Sequence, residues 1–306
     1  MSLADDLTAD VWEGATHTQR ASIAQDLSFH IGPLWHFRGI EAHTYGARTR
    51  HVALWDRTGA LFALIPSAEV TLGYDRAHPR TLSDDEIIAW SHTVFFEDID
   101  LYQEEMIHPS VEEIAALMST HAIPTFAECL DACTTQLRRI TMRPFLIEAH
   151  AIDITAHHVP EHPGVRTLLP VSHKAACEQL ARSEFRLPTS DEWEYACGAG
   201  ARSLFRWGET CPLDRYPSGS SDPAEAFGPH CGPNAFGLHI AQDPYRWEFC
   251  AESNIMRGGD GGGSICGGAG FILGWLPLVS AYVEDIENAE EPIFGVHQRR
   301  VRPLLV

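Results

Sequence analysis

The stretch FRLPTSDEWEYACGAG, residues 185–200, holds the strongest local structural signal in the chain. Thr189 and Glu192 match a capping box, in which two side chains satisfy each other's free backbone N–H groups at the start of a helix. Glycine commonly ends such a helix, and we expect this helix to end at Gly198. The pattern predicts a short helix that buries one aromatic residue, while Glu192 and Glu194 cap it or pair with arginines. We interpret these residues as scaffold.

Two further aromatic- and glycine-containing segments follow in order. The three segments are FRLPTSDEWEYACGAGARSLFRWGE (185–209), NAFGLHIAQDPYRWEFCAE (234–252) and MRGGDGG (256–262). They resemble the "RLPTE-x-EWEYAARGG … WG", "N-x-(F/W)-GLYDM-x-GNVWEW" and "RGGSW" segments of the formylglycine-generating-enzyme (sulfatase-modifying factor) superfamily. Weaker similarity extends to FALIPSAEVTLGYD (62–75), ITMRPFLIEAHAIDIT (140–155) and FGVHQRRVRP (294–303).

The resemblance implies an α+β fold of the loop-rich C-type-lectin-like kind. On this interpretation, residues 1–57 form a helical N-terminal extension with a helical pattern from Leu3 to Phe29. Residues 58–306 form the formylglycine-generating-enzyme-like domain, with a helical insertion at about residues 76–138.

Local patterns give more detail. The apolar runs HVALW and LFALI flank a turn at Thr58 and Gly59, which predicts a β-hairpin. Capping boxes predict the starts of two helices in the insertion, and they join Ser83 with Glu86 and Ser110 with Glu113. Beyond about residue 200 no helical period persists, so we expect mostly irregular loops.

Charge and composition disfavour several kinds of partner. The chain has 22 basic and 42 acidic residues and a formal charge of −20. Because that charge repels phosphate backbones and anionic lipid surfaces, we expect no nucleic-acid and no membrane partner. The longest apolar run, about residues 270–283, is too short to span a bilayer. The first residues do not resemble an export signal, so we expect a cytoplasmic protein with reduced cysteines, whose partner is a peptide or a small molecule.

A glycine-rich run, GGDGGGSICGGAG, occupies residues 258–270. Its eight glycines permit positive φ angles and a close approach of the backbone to something else. Either a ligand or another stretch of the chain accounts for that approach, and the sequence favours neither. Asp260 and Ser264 are candidate ligand-binding residues, and Cys266 is the candidate catalytic residue.

The resemblance implies copper at this run. In the oxidase branch of the family, two cysteines five positions apart bind copper(I) as soft thiolates, and oxygen is used to oxidise a substrate cysteine. Here Cys266 matches the first position and Phe271 occupies the second. Cys250 supplies the second thiolate if the fold brings it close to Cys266. Otherwise Cys250 acts as a small apolar core residue.

The resemblance also implies one calcium site, because many family members clamp their loops with this ion. Calcium prefers oxygen donors. Asn234 and Glu248 match positions at which the family supplies oxygens, and Asp243 lies near its "GN" pair. Glu248 is interpreted as structural with or without the ion.

Five further residues are candidates for a ligand groove. They are His239, Trp247, Arg257, His297 and Arg299. Polar and aromatic groups that converge at the surface suit a small polar or peptide ligand. The alternative interpretation is that these residues form salt bridges with some of the acidic residues.

Three other groups of potential metal ligands are disfavoured. The sulfoxide synthases of ergothioneine biosynthesis, another branch of the family, hold iron(II) with three histidines. The spacings within residues 1–57 do not match that arrangement, and the histidines there are His17, His30, His36, His43 and His51. His157, His158 and His162 lie in a proline-containing run that predicts a solvated loop. Cys129 and Cys133 share a helix face, for which a core position is favoured over zinc.

Two hypotheses for function follow. The first is a metal-assisted, oxygen-dependent oxidase or related catalyst that acts on a peptide or small metabolite, although not a true formylglycine-generating enzyme. It rests on the scaffold and on Cys266. The second is a non-catalytic module that binds a ligand or a protein, and it rests on the missing second cysteine. The sequence favours the enzyme, because a plain scaffold needs neither the glycines nor the polar residues among them.

Overall fold

Two five-stranded sheets, two separate two-stranded sheets and a set of short helices give the protein an α+β architecture. The structure is a computed structural model, and it describes residues 7–46, 48–94, 110–158, 166–217, 228–267, 270–286 and 290–304. Within these ranges, no helix is both long and apolar enough to cross a membrane.

The first sheet has the strand order β1-β2-β3-β6-β14, and its neighbouring strands are antiparallel. Its strands are β1 (His36–Tyr45), β2 (Arg48–Arg57), β3 (Ala60–Ile65), β6 (Phe145–Glu148) and β14 (Val301–Pro303). The predicted hairpin is confirmed, since β2 pairs with β3. Thr58 and Gly59 between them both have positive φ, which a tight two-residue hairpin turn requires.

Both faces of the first sheet are buried, which explains the unbroken apolar runs of its central strands. Val52 and Leu54 on β2 face the main hydrophobic core, which also contains Trp193. The alternate residues Ala53 and Trp55 face a second core formed with the N-terminal helices. Because successive side chains of a strand point to opposite faces, a strand covered on both sides is apolar at every position.

The N-terminal helices that cover the outer face are α1 (Ala9–Gly14) and α2 (His17–Ile31). Thr16 and Gln19 form a capping box at the start of α2. The indole N–H of Trp55 donates to the Ser28 hydroxyl of α2 at 2.9 Å. The expectation that residues 1–57 are helical is therefore correct only as far as Ile31. After Ile31 the chain forms strands β1 and β2, and β2 pairs with β3.

The second sheet is made of very short strands in the order β12-β11-β10-β13-β7. These strands are β7 (Ile152–Asp153), β10 (Glu248–Phe249), β11 (Ile255–Arg257), β12 (Glu284–Asp285) and β13 (His297–Gln298). Two separate two-stranded antiparallel sheets are β4 (Ala68–Leu72) with β5 (Arg138–Met142), and β8 (Ala156–His158) with β9 (Arg166–Leu168). Beyond residue 200 the described chain is mostly irregular, as predicted.

Helices within the predicted insertion are α3 (Asp84–Val94), α4 (Val111–Thr120) and α5 (Phe126–Cys133). Both capping boxes predicted there are confirmed. Ile114 of α4 is fully buried, and Met118, one helical turn later, packs against the core. Residues 95–109 lie outside the described ranges.

The remaining helices are α6 (His173–Leu180), α7 (Ser190–Gly198), α8 (Gly263–Cys266) and α9 (Phe271–Trp275), with a short 3-10 helix at Leu276–Leu278. The capping box that opens α7 is confirmed. Trp193 and Tyr195 are both buried, so α7 buries two aromatic residues rather than the one expected.

A buried ion pair and an indole hydrogen bond to a second buried ion pair attach α7 to the second sheet. Glu194 of α7 accepts from the Arg257 guanidinium of β11 at 3.0 Å. Glu248 of β10 accepts from the Trp193 indole at 3.0 Å and from two N–H groups of Arg299 at 3.0 and 3.1 Å. Both arginines are 0% exposed. Since an unpaired charge in the interior is costly, each partner holds the other in place.

The histidine run differs from its prediction. His157 and His158 belong to strand β8 and pair with β9 instead of forming a loop. His157 is nevertheless exposed, so its ring is solvated as expected. The prolines that suggested a loop lie after this strand and do not interrupt it. His162 lies outside the described residues.

We predict that Glu194→Gln lowers the free energy of unfolding by about 3–5 kcal/mol, because Arg257 is then left buried without its carboxylate. Chemical denaturation measures this loss. The exposed Asp214 pairs with Arg215, and Asp214→Asn is the control, for which we expect no measurable change. Equal stability of the Glu194 variant and the wild type would contradict the assignment.

The same pair predicts a pH dependence. Burial alone raises the pKa of the Glu194 carboxyl, but the guanidinium groups of Arg257 and Arg138 outweigh burial and hold the pKa below its usual value. A lowered pKa in the folded state means that the pair stabilises the fold at neutral pH and that this stability is lost as the pH falls below the usual glutamate range. Wild-type stability should therefore fall more steeply in acid than that of Glu194→Gln.

Candidate functional site

The glycine-rich run packs tightly against the segment at residues 244–247. A side chain at Gly259 would begin 2.3 Å from the Pro244 carbonyl oxygen, and one at Gly262 would begin 2.1 Å from the Tyr245 ring. The ring of Trp247 lies against Gly261 in the same way. Of the two explanations that the sequence left open, close approach of another chain segment accounts for these glycines.

Asp260 orders the turn that precedes α8. Its carboxylate accepts from the backbone N–H of Gly262 and of Ser264, each at 2.8 Å, and from the Ser264 hydroxyl at 2.5 Å. Asp260 and Ser264, both predicted to bind ligand, thus bond to each other and to the turn.

The thiol of Cys266 lies at the end of α8 and is exposed. Within the described ranges its polar side-chain neighbour is Tyr245, whose hydroxyl lies 3.3 Å from the sulfur. Phe271, at the second copper position of the family, is on the surface with 37% of its area exposed. Cys266 is therefore accessible to reagents but does not face a described cavity.

The residues present do not fit a two-thiolate copper site. Cys250 is 0% exposed, and burial raises the pKa of its thiol well above the usual value. Copper(I) binds the thiolate, which this environment disfavours. Cys250 thus behaves as the apolar core residue of the alternative interpretation, while Cys266 lies at the surface.

The three predicted calcium ligands are each used by the protein itself. The Asn234 side chain donates to the carbonyl oxygens of Ala196 and Cys197 and accepts from two backbone N–H groups. Asp243 pairs with Arg246 at 3.1 Å, and Glu248 is paired as described above. Among the described residues, no group of three or more histidine, cysteine, aspartate or glutamate side chains is arranged to hold a metal ion. These donors therefore do not fit a calcium site.

The five candidate groove residues do not meet in one groove. Arg257 and Arg299 form the ion pairs of the core, as the alternative interpretation had it. His239 stacks on His150 with ring centroids 4.2 Å apart. Burial and the neighbouring His150 lower the pKa of His239 to about 4, so the ring is neutral at pH 7. His297 is mostly buried on β13, and burial lowers its pKa as well. Trp247 packs on Gly261.

A cavity lies at a different part of the surface. We call it the arginine groove; its volume is about 620 Å³. The side chains that matter here are Asp10, Arg48, Arg50, Glu69, Thr141 and Arg202. A second cavity of about 420 Å³ adjoins it and shares Thr71, Tyr195, Gly200 and Arg202 with it.

Three parts of the chain build the arginine groove. Arg48 and Arg50 come from the start of β2, and the two-stranded sheet of β4 and β5 forms the opposite side. The end of α7 lies between them, where Ala199 takes a left-handed conformation and Gly200 follows with φ +78°. Residues before β3 therefore supply one wall of the cavity, and later parts of the chain supply the rest.

Sequence reasoning missed this groove. Its signal is the alternation Arg48-Thr49-Arg50, which places two guanidinium groups on one face if the segment is a strand. That signal was hidden because the segment was expected to be helical, and because about 150 residues separate it from Gly200 in the sequence.

The chain matches no family model, and no curated protein matches it either.

We predict that iodoacetamide modifies Cys266 first in the native protein and modifies Cys250 only after unfolding, because the former thiol is exposed and the latter is fully buried. Peptide mass spectrometry after timed labelling checks this. Cys197, also fully buried, is the control for Cys250. Equal labelling rates of Cys250 and Cys266 in the folded state would show that Cys250 is accessible to solvent. The two thiols would then again be candidates for a copper site.

Proposed function

We propose that the chain is a divergent member of the formylglycine-generating-enzyme superfamily with a C-type-lectin-like fold, and that it is a recognition module for a small polar ligand or peptide. The three motifs in order, and the long irregular connections around short strands, support the fold. The function rests on a single observation, the arginine groove.

The groove supports binding for three reasons. Its volume lies within the range of small-molecule sites, which is about 300–1,000 Å³. It adjoins a second cavity, so that an extended ligand has room on both sides of Gly200. Its walls come from segments distant in sequence, which buried cores hold in place.

Binding without catalysis is favoured over the oxidase by the chemistry at Cys266. The second soft donor that copper(I) requires is buried as Cys250 or replaced by Phe271. Asp260 and Ser264 bond to each other, and the arginines proposed for a ligand neutralise buried glutamates. No step of an oxidase reaction is therefore assigned to these residues.

We predict that Thr71→Trp blocks ligand binding, because Thr71 is exposed and lines both cavities, so that an indole there fills the space without disturbing the core. The experiment screens a library of metabolites and short peptides by ligand-observed NMR. Ligands found with the wild type should bind at least tenfold more weakly to this variant.

Thr167→Trp is the matched control, because Thr167 is an exposed threonine on strand β9 and lines neither cavity. It should bind like the wild type. The proposal fails if the two tryptophan variants bind equally well, or if the ligands are consumed in a reaction that Cys266→Ala abolishes.

A further inference from the structure

The arginine groove brings two guanidinium groups to one point. Arg48 and Arg50 are two residues apart on β2, so their side chains leave the same face of the strand. A Cβ atom built on Gly200 would lie 3.0 Å from Nη1 of Arg48 and 3.2 Å from Nη2 of Arg50. The two groups therefore meet directly above a residue that has no side chain.

Arg50 has partners that account for its position. Its Nη1 pairs with the Glu13 carboxylate at 2.6 Å, and its Nε donates to the Ala199 carbonyl at 3.3 Å. The guanidinium also lies over the Phe236 ring, 4.8 Å from its centroid. These contacts neutralise Arg50 and place it at the negative end of the α7 dipole.

Arg48 has no such partner. Its guanidinium forms no hydrogen bond or ion pair with any of the described residues. Arg48 is exposed, and partial burial followed by the neighbouring Arg50 charge lowers the pKa of its guanidinium. The two guanidinium groups both approach Gly200 and therefore repel each other, unless an anion lies between them.

The third arginine of the groove also lacks a carboxylate. Arg202 donates to the carbonyl oxygens of Thr71 and Gly73 at 3.1 and 3.0 Å. The acidic groups facing the groove are Asp10 and Glu69, and Glu69 already accepts from the Thr141 hydroxyl. Of the three guanidinium groups in the groove, Arg50 is paired with Glu13, whereas Arg48 and Arg202 form no ion pair with a described residue.

We propose that Arg48 and Arg50 together bind an oxyanion of the ligand, a phosphate or a carboxylate, above Gly200, with Arg202 available to a second polar group. This inference rests on the proposed function, and it names the chemical class of the ligand. Two guanidinium forks offer parallel N–H donors that match an oxyanion, and charge-assisted bonds of this kind are among the strongest in proteins. Glycine at position 200 permits this approach, because a side chain there would crowd both guanidinium groups.

The test uses the full chain and three probes at constant ionic strength: inorganic phosphate, succinate, and succinamide as the neutral counterpart of succinate. Isothermal titration calorimetry gives the affinities. We expect phosphate, succinate or both to bind and succinamide not to bind. Phosphate alone identifies a phosphorylated ligand, succinate alone identifies a carboxylate, and both together identify a general oxyanion site.

Three variants locate the binding. Arg48→Gln should weaken anion binding about tenfold or more, since it removes charge-assisted hydrogen bonds. Arg48→Lys keeps the charge but loses the fork, so its affinity should lie between those of Arg48→Gln and the wild type. Arg182→Gln is the control, because Arg182 is exposed after α6 and lines neither cavity. It should bind like the wild type.

Thermal unfolding without anions separates this role from a structural one. If Arg48 serves to bind an anion, Arg48→Gln unfolds at the same temperature as the wild type or at a higher one, because the repulsion between Arg48 and Arg50 is removed. A lower unfolding temperature overturns the inference, since it makes Arg48 a structural counterion of α7.

Two further outcomes also overturn it: neither anion binds, or Arg48→Gln binds them as well as the wild type does. If a neutral ligand from the library binds in a manner that depends on Thr71 but not on Arg48, the oxyanion inference fails and the recognition function stands.

Discussion

The pairing of Glu194 with Arg257 and of Glu248 with Arg299 is the constraint on which the rest of the structure depends. Both pairs are buried. The first connects α7 to the second sheet directly, and the second is connected to α7 by the Trp193 indole, which donates to Glu248. A buried ion pair contributes little net stability compared with apolar packing, but it penalises every arrangement that separates its members. The position of α7 is fixed in this way, and the end of α7 is the floor of the arginine groove.

The N-terminal segment completes the site and the core together. Its helices cover the outer face of the first sheet, where Trp12 donates through its indole N–H to the His51 carbonyl at 2.6 Å. Its strands β1 and β2 extend that sheet and bring Arg48 and Arg50 to the end of α7. Removing the segment would thus expose one face of the first sheet and take away one wall of the groove. The same segment therefore covers the hydrophobic face of the first sheet and lines the arginine groove.

The sequence predicted those features that depend on near neighbours. Capping boxes and the hairpin turn were found because the residues that satisfy each backbone group lie three or fewer positions apart. Strand β1 was missed, since the bulge near Gly39 interrupts its alternation and no apolar run marks it. Arg257 and Arg299 were expected at a ligand, because sequence shows the charge of a side chain and not its burial. The arginine groove was missed for the same reason, as its residues meet only after three distant segments pack together.

The most direct measurement of the central claim is a crystal structure of the protein grown with succinate or phosphate. The account predicts electron density for the anion above Gly200, between the guanidinium groups of Arg48 and Arg50, with the buried pairs of Arg257 and Arg299 intact. Anion density beside Cys266, with the arginine groove closed or filled by a side chain of the protein, would contradict it.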